Sequence, residues 1–311
     1  MPREFTYSPL TLRRGQRALL MQLVVLANPE SWYLADLRRA AAGRHEIAAI
    51  GFRELVSAID ADGKSCITAA GVDLAAADAV LVRTMPPGSL EQVVFRMDAL
   101  ARLEATGVSI VNPPRAIEAA VDKYLATARL AAAGLRVPRT IVCQTPEAAM
   151  AAFETLGRDV VVKPLFGSEG RGIARLQDEA LAGRAFRMLA QLGGVQYVQE
   201  FIPHDGYDLR VLVIGERMFA MRRRSESDWR TNVSRGAIAE RVELTAEMAR
   251  MSRQAADAIG APVAGVDLLP GRDGTLYAIE VNAVPGWKAL ASTLDVDIAR
   301  EVLNYIEKAT I

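Results

Sequence analysis

Cysteine and histidine are almost absent from this 311-residue chain, with two of each. Cys66 and Cys143 are too few and too far apart for a disulfide framework or a zinc site. No Ser-His-Asp or Cys-His set can be assembled, which disfavours a covalent nucleophile. Net charge is lacking too: Lys plus Arg equals Asp plus Glu at 37 each, so nothing global points to nucleic acid. No apolar run reaches the roughly 18 residues of a membrane helix. Leu19 to Ala27 is interrupted by Gln22 and lacks a small-residue cleavage site, so it reads as a strand rather than a signal peptide. A reducing cytoplasm is the expected location. What is present is 51% hydrophobic and 24% charged residues, enough for a sizeable core, at a length that predicts two or three lobes.

Patterns along the chain divide it into a loose, basic arm (1–17), an N-terminal α/β domain (18–114), a small central lobe (115–198) and a C-terminal lobe (199–311). Ala18 to Ala27, Glu46 to Ile50, Ala79 to Val82 and Val108 to Val111 read as strands. Ser31 to Ala42 and Leu90 to Thr106 read as helices between them. This alternation predicts an open, mostly parallel, Rossmann-like lobe. Ligands of such sheets sit beyond the carboxyl ends of the strands, where Arg83 lies. Arg83 is therefore a candidate substrate-anion contact, with a surface loop arginine as the plain alternative. Further on, Ile117 to Gly134, Pro146 to Gly157 with Thr145 as cap, Leu181 to Leu192, Thr245 to Ile259 and Asp297 to Lys308 read as helices.

Four stretches carry chemistry. In Asp159-Val-Val-Val-Lys163-Pro-Leu-Phe-Gly167-Ser168-Glu-Gly170-Arg-Gly172, a β-branched strand presents a lysine and enters a glycine loop. Such a loop can turn its N–H groups toward phosphate oxygens. Ile173 to Leu176 reads as a returning strand, so the loop is a hairpin flap and not a P-loop; a plain turn is the alternative. The strand Val195 to Ile202 breaks at Pro203 and could offer free backbone groups to a purine, with Asp208 near a ribose hydroxyl. Ordinary loop residues are the alternative, and His204, alone in a polar loop, reads as solvated. The segment Arg222 to Gly236 places arginines at 222, 223, 224, 230 and 235. Arginine holds phosphate and carboxylate through a two-pronged fork; a solvated basic loop or an RNA contact is the bland reading.

The fourth stretch is Gly265-Val-Asp267 to Glu280-Val-Asn282-Ala-Val-Pro-Gly286. Two apolar runs flank the turn Pro270-Gly-Arg-Asp-Gly274 and predict paired strands. Glu280 and Asn282 share a face, and Asp267 could come alongside. Three oxygen-bearing side chains on an apolar sheet suit Mg²⁺; a solvated hairpin with incidental acids is the alternative.

In this order, these stretches resemble the ATP-grasp superfamily, and more narrowly the RimK-type α-L-glutamate ligases, over roughly residues 115 to 300. The resemblance implies an α/β (α+β) ATP-grasp module of two lobes behind the Rossmann-like lobe. It implies that Lys123, Lys163 and Arg230 contact nucleotide phosphates beneath the flap of Gly167, Ser168, Gly170 and Gly172. Gln199 to Ile202 would hold adenine and Asp208 the ribose. Asp267, Glu280 and Asn282 match the metal ligands. Arg222 and Arg223, with Arg235, match catalytic arginines, and Arg210 and Asn232 join Arg83 as substrate contacts. The stretch Arg83-Thr-Met-Pro-Pro-Gly-Ser-Leu-Glu91 departs from the ribosome-modifying members. It looks more like the branch that joins glutamate to tetrahydromethanopterin, although a protein acceptor stays open. ATP, Mg²⁺ (or Mn²⁺), an amino acid such as glutamate and an acceptor carboxylate are the expected partners. Nucleic acid and membrane are not expected, and a homo-oligomer is the expected state. A small-molecule kinase on the same scaffold and a nucleotide-binding regulator are the competing readings.

Overall fold

The computed structural model describes residues 20–167, 171–233 and 236–310. The expected arm over 1–17 and the candidates Ser168, Gly170 and Arg235 lie outside the described residues. The chain divides into two compact units, residues 1–115 with 297–311, and residues 116–296. No helix among the described residues is long and apolar enough to cross a membrane.

In the first unit β1 (Met21–Leu26), α1 (Trp32–Ala41) and β2 (His45–Ile50) open the expected alternation. Residues 55–73, unassigned by the sequence patterns, form an antiparallel sheet of β3 (Leu55–Ile59), β4 (Ser65–Ala69) and β5 (Val72–Asp73). Its hairpin turns through Asp62-Gly63, a pair suited to tight turns, with Asp60 accepting from the Asp62 and Lys64 amides. Then come β6 (Ala79–Val82), α2 (Leu90–Ala105) and β7 (Ser109–Val111). The main sheet has the order β2-β1-β6-β7 and is parallel throughout. Leu23 to Leu26 and Ala79 to Val82 are buried, as strands covered on both faces require. Ser89 and Gln92 close a capping box that starts α2.

In the second unit the helix expected from Ile117 to Gly134 is two, α3 (Pro114–Val121) and α4 (Lys123–Ala132), its first residues belonging to the preceding unit's span. Asp122 causes the break: its backbone is extended and its side chain accepts from Leu125 N–H at 3.0 Å. A carboxylate that caps a helix cannot also sit within one. The central sheet has the order β10-β9-β11-β8 and is antiparallel, from β8 (Thr140–Cys143), β9 (Val160–Lys163), β10 (Ala174–Leu176) and β11 (Gln196–Glu200). Helices α5 (Pro146–Thr155) and α6 (Glu179–Gln191) cover one face, burying Phe153 and Phe186 against Val160, Val162 and Val198. Side chains alternate across a strand, so Val161, Lys163, Tyr197 and Gln199 occupy the other face.

The C-terminal sheet has the order β14-β13-β12-β15-β16. Its strands are β12 (Tyr207–Ile214), β13 (Arg217–Arg224), β14 (Ile238–Arg241), β15 (Val263–Pro270) and β16 (Leu276–Asn282), each antiparallel to its neighbours. The expected Pro270–Gly274 turn joins β15 to β16, with Gly274 at φ 79°, a value that favours glycine. Helices α7 (Ala246–Ile259) and α8 (Lys288–Leu294) pack on this sheet.

The closing helix α9 (Ile298–Thr310) corrects the sequence reading, which placed it in the C-terminal lobe of residues 199–311. It belongs to the first unit. Its apolar stripe of Ile298, Val302, Leu303 and Ile306 is fully buried, and it packs on α1. Arg39 grips Asp297 through two hydrogen bonds (2.9 and 2.7 Å), and Arg44 and His45 both reach Glu307 at 2.7 Å. An amphipathic stripe announces burial but not the partner.

Phe153→Ala should destabilise the central lobe by about 3–5 kcal/mol through the lost burial and the cavity left behind. Hydrogen exchange would show it as faster exchange of α5 and β9 amides with β1 amides unchanged. Unchanged exchange in α5 and β9 would contradict this packing.

Candidate active site

A cleft in the second unit is walled by the uncovered face of the central sheet, one face of the C-terminal sheet and α4. Cross-strand register lays out the C-terminal wall. Arg223 stands opposite Asp208, Arg210 opposite Asp267, and Asp267 opposite Glu280. Period-two alternation then puts all five on one face, with Asn282 two residues beyond Glu280. The expected approach of Asp267 to Glu280 is thus present. Asn282 stands across from Gly265, where any Cβ would lie 3.0 Å from Pro285. Glycine there lets the chain after β16 fold back, and Asn282 Oδ1 accepts from Val284 N–H at 2.9 Å.

Charges on this face form an alternating chain. Arg210 holds Asp267 through two bonds of 2.7 Å. Arg223 reaches Asp267 at 2.9 Å and grips Asp208 at 2.7 and 2.5 Å. Thr231 Oγ1 donates to Asp208 at 2.6 Å. Arg223, Asp208 and Asp267 are buried, where an unpaired charge would be costly. Burial pushes the Asp267 carboxyl up, but Arg210 and Arg223 together outweigh it and hold it below the usual range. Burial dominates at Asp208 and raises it despite Arg223. The Glu280 carboxylate makes no hydrogen bond or ion pair among the described residues.

The opposite wall centres on Lys163, whose ammonium donates to Gln199 Oε1 at 2.7 Å. Burial lowers its pKa to about 8, against the pull of Glu280 and Asp267 and with help from Lys123. Lys123 Nζ donates to the Gly167 carbonyl at 2.7 Å and ties α4 to the start of the glycine loop. Arg230, paired with Asp228, reaches the Ile173 carbonyl at the end of that loop. Glu200 is committed to Arg139 through its side chain. The Ile202 backbone N–H and C=O carry no hydrogen bond among the described residues, as a purine-reading strand end would need.

The expected residues do not all converge. Lys123, Lys163, Gln199 to Ile202, Asp208, Arg223, Arg230, Asn232, Asp267 and Glu280 line the cleft. Arg222 lies on the opposite face from Arg223, bound to Glu240 at 2.6 Å. Arg210 acts on the cleft through Asp267, and Gly172, at φ 71°, lies beside Pro164, whose ring a Cβ there would meet at 3.4 Å. Arg83 lies in the first unit, buried after β6 with its guanidinium 4.9 Å from the Tyr33 ring, and burial lowers its pKa to about 10. His204 is corrected. It lines the cleft, its Nδ1 accepts from Gly206 N–H at 3.2 Å, and its ring lies 5.6 Å from Phe201. Burial lowers its pKa. The sequence reading missed Tyr197, Thr231 and Trp229, although Tyr197 shares the Gln199 face by simple alternation.

Among the described residues no three His, Cys, Asp or Glu side chains gather into a metal site. The expected set is instead two carboxylates and an amide. Their chemistry fits a hard cation: among the described residues the Glu280 carboxylate is uncommitted and Asp267 Oδ1 accepts from Arg210 alone, and Asn282 Oδ1 keeps a lone pair.

Residues 120–306 match the RimK-like ATP-grasp domain. The tetrahydromethanopterin:alpha-L-glutamate ligase of Methanosarcina acetivorans is 32% identical over 317 residues, covering 91% of this chain and 98% of that protein. The enzyme of the same name from Methanococcus maripaludis is 35% identical over 70% of this chain and 76% of its own length. Among solved structures, the ATP-grasp ligase PsnB complexed with minimal precursor, Mg and ADP has a TM-score of 0.73 at 24% identity, covering 96% of this chain and 100% of that one. That likeness is one of fold.

Arg223→Met leaves Asp208 buried without its cation and should cost about 3–5 kcal/mol at pH 8. Asp208 already has a raised folded pKa, so its contribution is complete below its unfolded value and lost as pH rises through the folded one. Losing Arg223 lifts that folded value further. The deficit should therefore shrink as pH falls from 8 to 5, because acid favours the protonated carboxyl of Asp208. Urea unfolding followed by tryptophan fluorescence checks this, and an equal deficit at both pH values would contradict it.

Proposed function

The chain belongs to the RimK-like ATP-grasp family, and on that premise we propose that it is an ATP- and Mg²⁺-dependent ligase joining L-glutamate, or a similar amino acid, to an acceptor carboxylate. The acceptor class favoured is a pterin cofactor of the tetrahydromethanopterin kind, the substrate named for the relative that aligns over almost its whole length. The observation that carries the reading is the sheet face that sets Asp267 beside Glu280, with the half-buried Lys163 on the facing wall.

The acceptor carboxylate attacks the γ-phosphorus of ATP and ADP departs, leaving an acylphosphate. The amino group of glutamate then attacks its carbonyl carbon, loses a proton and expels phosphate. No protein nucleophile enters; the residues position groups and neutralise charge. Lys163, Lys123 and Arg230 meet the phosphates, and the backbone of Glu200 to Ile202 reads the base. Asp267, Glu280 and Asn282 would hold Mg²⁺, which would offset phosphate charge. Arg223 faces the cleft beside them. Arg83 is the first unit's candidate for the acceptor carboxylate. The glycine loop, fastened at its ends by Lys123 and Arg230, shields the acylphosphate from water.

The test combines purified protein, Mg-ATP, pooled amino acids and a protein-free cell extract, with phosphate release and mass spectrometry as readouts. The expected result is ADP plus phosphate, formed only with glutamate and extract, and a product heavier by one glutamyl unit. Lys163→Ala and Asn282→Ala should each lower turnover by about 100-fold or more with the fold kept. ADP without free phosphate, together with a phosphorylated product, would mean a kinase.

A further inference from the structure

The resemblance assigns Gln199 to adenine, yet its side chain is 3% exposed and its polar atoms are engaged elsewhere. Nε2 donates to Thr140 Oγ1 at 2.9 Å and to Tyr197 Oη at 3.0 Å. Oε1 accepts from Lys163 Nζ at 2.7 Å. The proton directions follow step by step. Thr140 Oγ1 donates its one proton to the Pro138 carbonyl at 2.9 Å, so toward Gln199 it can only accept. Tyr197 Oη accepts from Gln199, and its own proton has Thr127 Oγ1, 2.8 Å away, as acceptor. A flipped amide would aim its NH₂ at an ammonium and its carbonyl at a hydroxyl whose proton is committed. Only one orientation satisfies every partner.

We propose that Gln199 is a positioning residue for Lys163, held by Tyr197, Thr140 and Thr127 so that its carbonyl fixes the lysine ammonium in the cleft. Tyr197 stands directly across the strand pair from Lys163, with the ammonium 5.8 Å from its ring centre. The phenol thus supports the same side chain as a surface and as a hydrogen-bond anchor. Three charged groups face Lys163: Glu280 from β16, Asp267 from β15 and Lys123 from α4. None of them forms an ion pair with it among the described residues, so the neutral amide is its direct holder. One N–H of the ammonium goes to Gln199 and two remain for a ligand. The base is then read by the backbone after β11, not by this side chain.

The nucleotide arm of the test rests on the proposed role of Lys163; the spectroscopic arm does not. In full-length protein with ¹⁵N-labelled lysine, the Lys163 ammonium signal is identified by its loss in Lys163→Arg. Gln199→Leu should speed exchange of that ammonium with water by about tenfold, the worth of one hydrogen bond to a charged group. Gln199→Glu should leave it slow, because the carboxylate still accepts from the ammonium and the Tyr197 hydroxyl can turn its proton from Thr127 to the new carboxylate. Tyr197→Phe should give a smaller increase, and circular dichroism checks the fold of each variant. ADP binding by calorimetry should weaken about tenfold in Gln199→Leu and stay within about threefold in Gln199→Glu. Unchanged exchange in folded Gln199→Leu, or in Tyr197→Phe if the leucine variant does not fold, would overturn the proposal. If Lys163→Ala binds ADP normally, the phosphate role of Lys163 falls, and the exchange rates still decide what Gln199 does.

Discussion

The chain of charges Arg210, Asp267, Arg223 and Asp208 is the constraint on which the cleft depends. Its members come from three strands, β12, β13 and β15, and they meet only if the register is the one observed. Shifting any strand by one residue would turn its charged member to the other face. Two guanidiniums and two carboxylates sum to zero, which lets the network lie under little solvent. Such networks are weak sources of net stability, but a missing member is expensive. Here the arrangement selects one register, and that register places Glu280 beside Asp267 with its carboxylate uncommitted.

The facing wall follows a different rule. Among the described residues Lys163 has no carboxylate in contact and is held by an amide, which keeps the cation available to an incoming anion. Burial makes its charge costly, and the hydroxyl-bearing residues behind Gln199 offset part of that cost. Opposed to it, the C-terminal sheet keeps its own cations tied to Asp208 and Asp267. On the proposed function the two walls divide the work: one would present a cation to phosphate, the other an acid to a metal ion.

Much of this was legible in the sequence because strand and helix periods are local. The parallel sheet of the first unit, the β9 lysine strand, the Pro270–Gly274 turn and the pairing of Asp267 with Glu280 all come from alternation and turn chemistry. What was not legible depends on distant partners. The destination of α9 was hidden because an apolar stripe does not name the surface that covers it. The break at Asp122 rests on a cap that competes with helix continuation. Arg222 and Arg223 form a different case. Adjacent residues of one strand face opposite ways, so their separation could have been read directly, and the resemblance that grouped them obscured it. His204 was read as solvated because nothing local foretold that Phe201 would lie against it.

The central claim is that a carboxylate is activated as an acylphosphate before the amide bond forms. The direct measurement uses an acceptor with ¹⁸O in its carboxylates, turned over with Mg-ATP and glutamate, and weighs the released phosphate. Activation through an acylphosphate predicts one ¹⁸O in each phosphate and one lost from each ligated carboxylate. Phosphate free of ¹⁸O, with the label kept in the product, would contradict it.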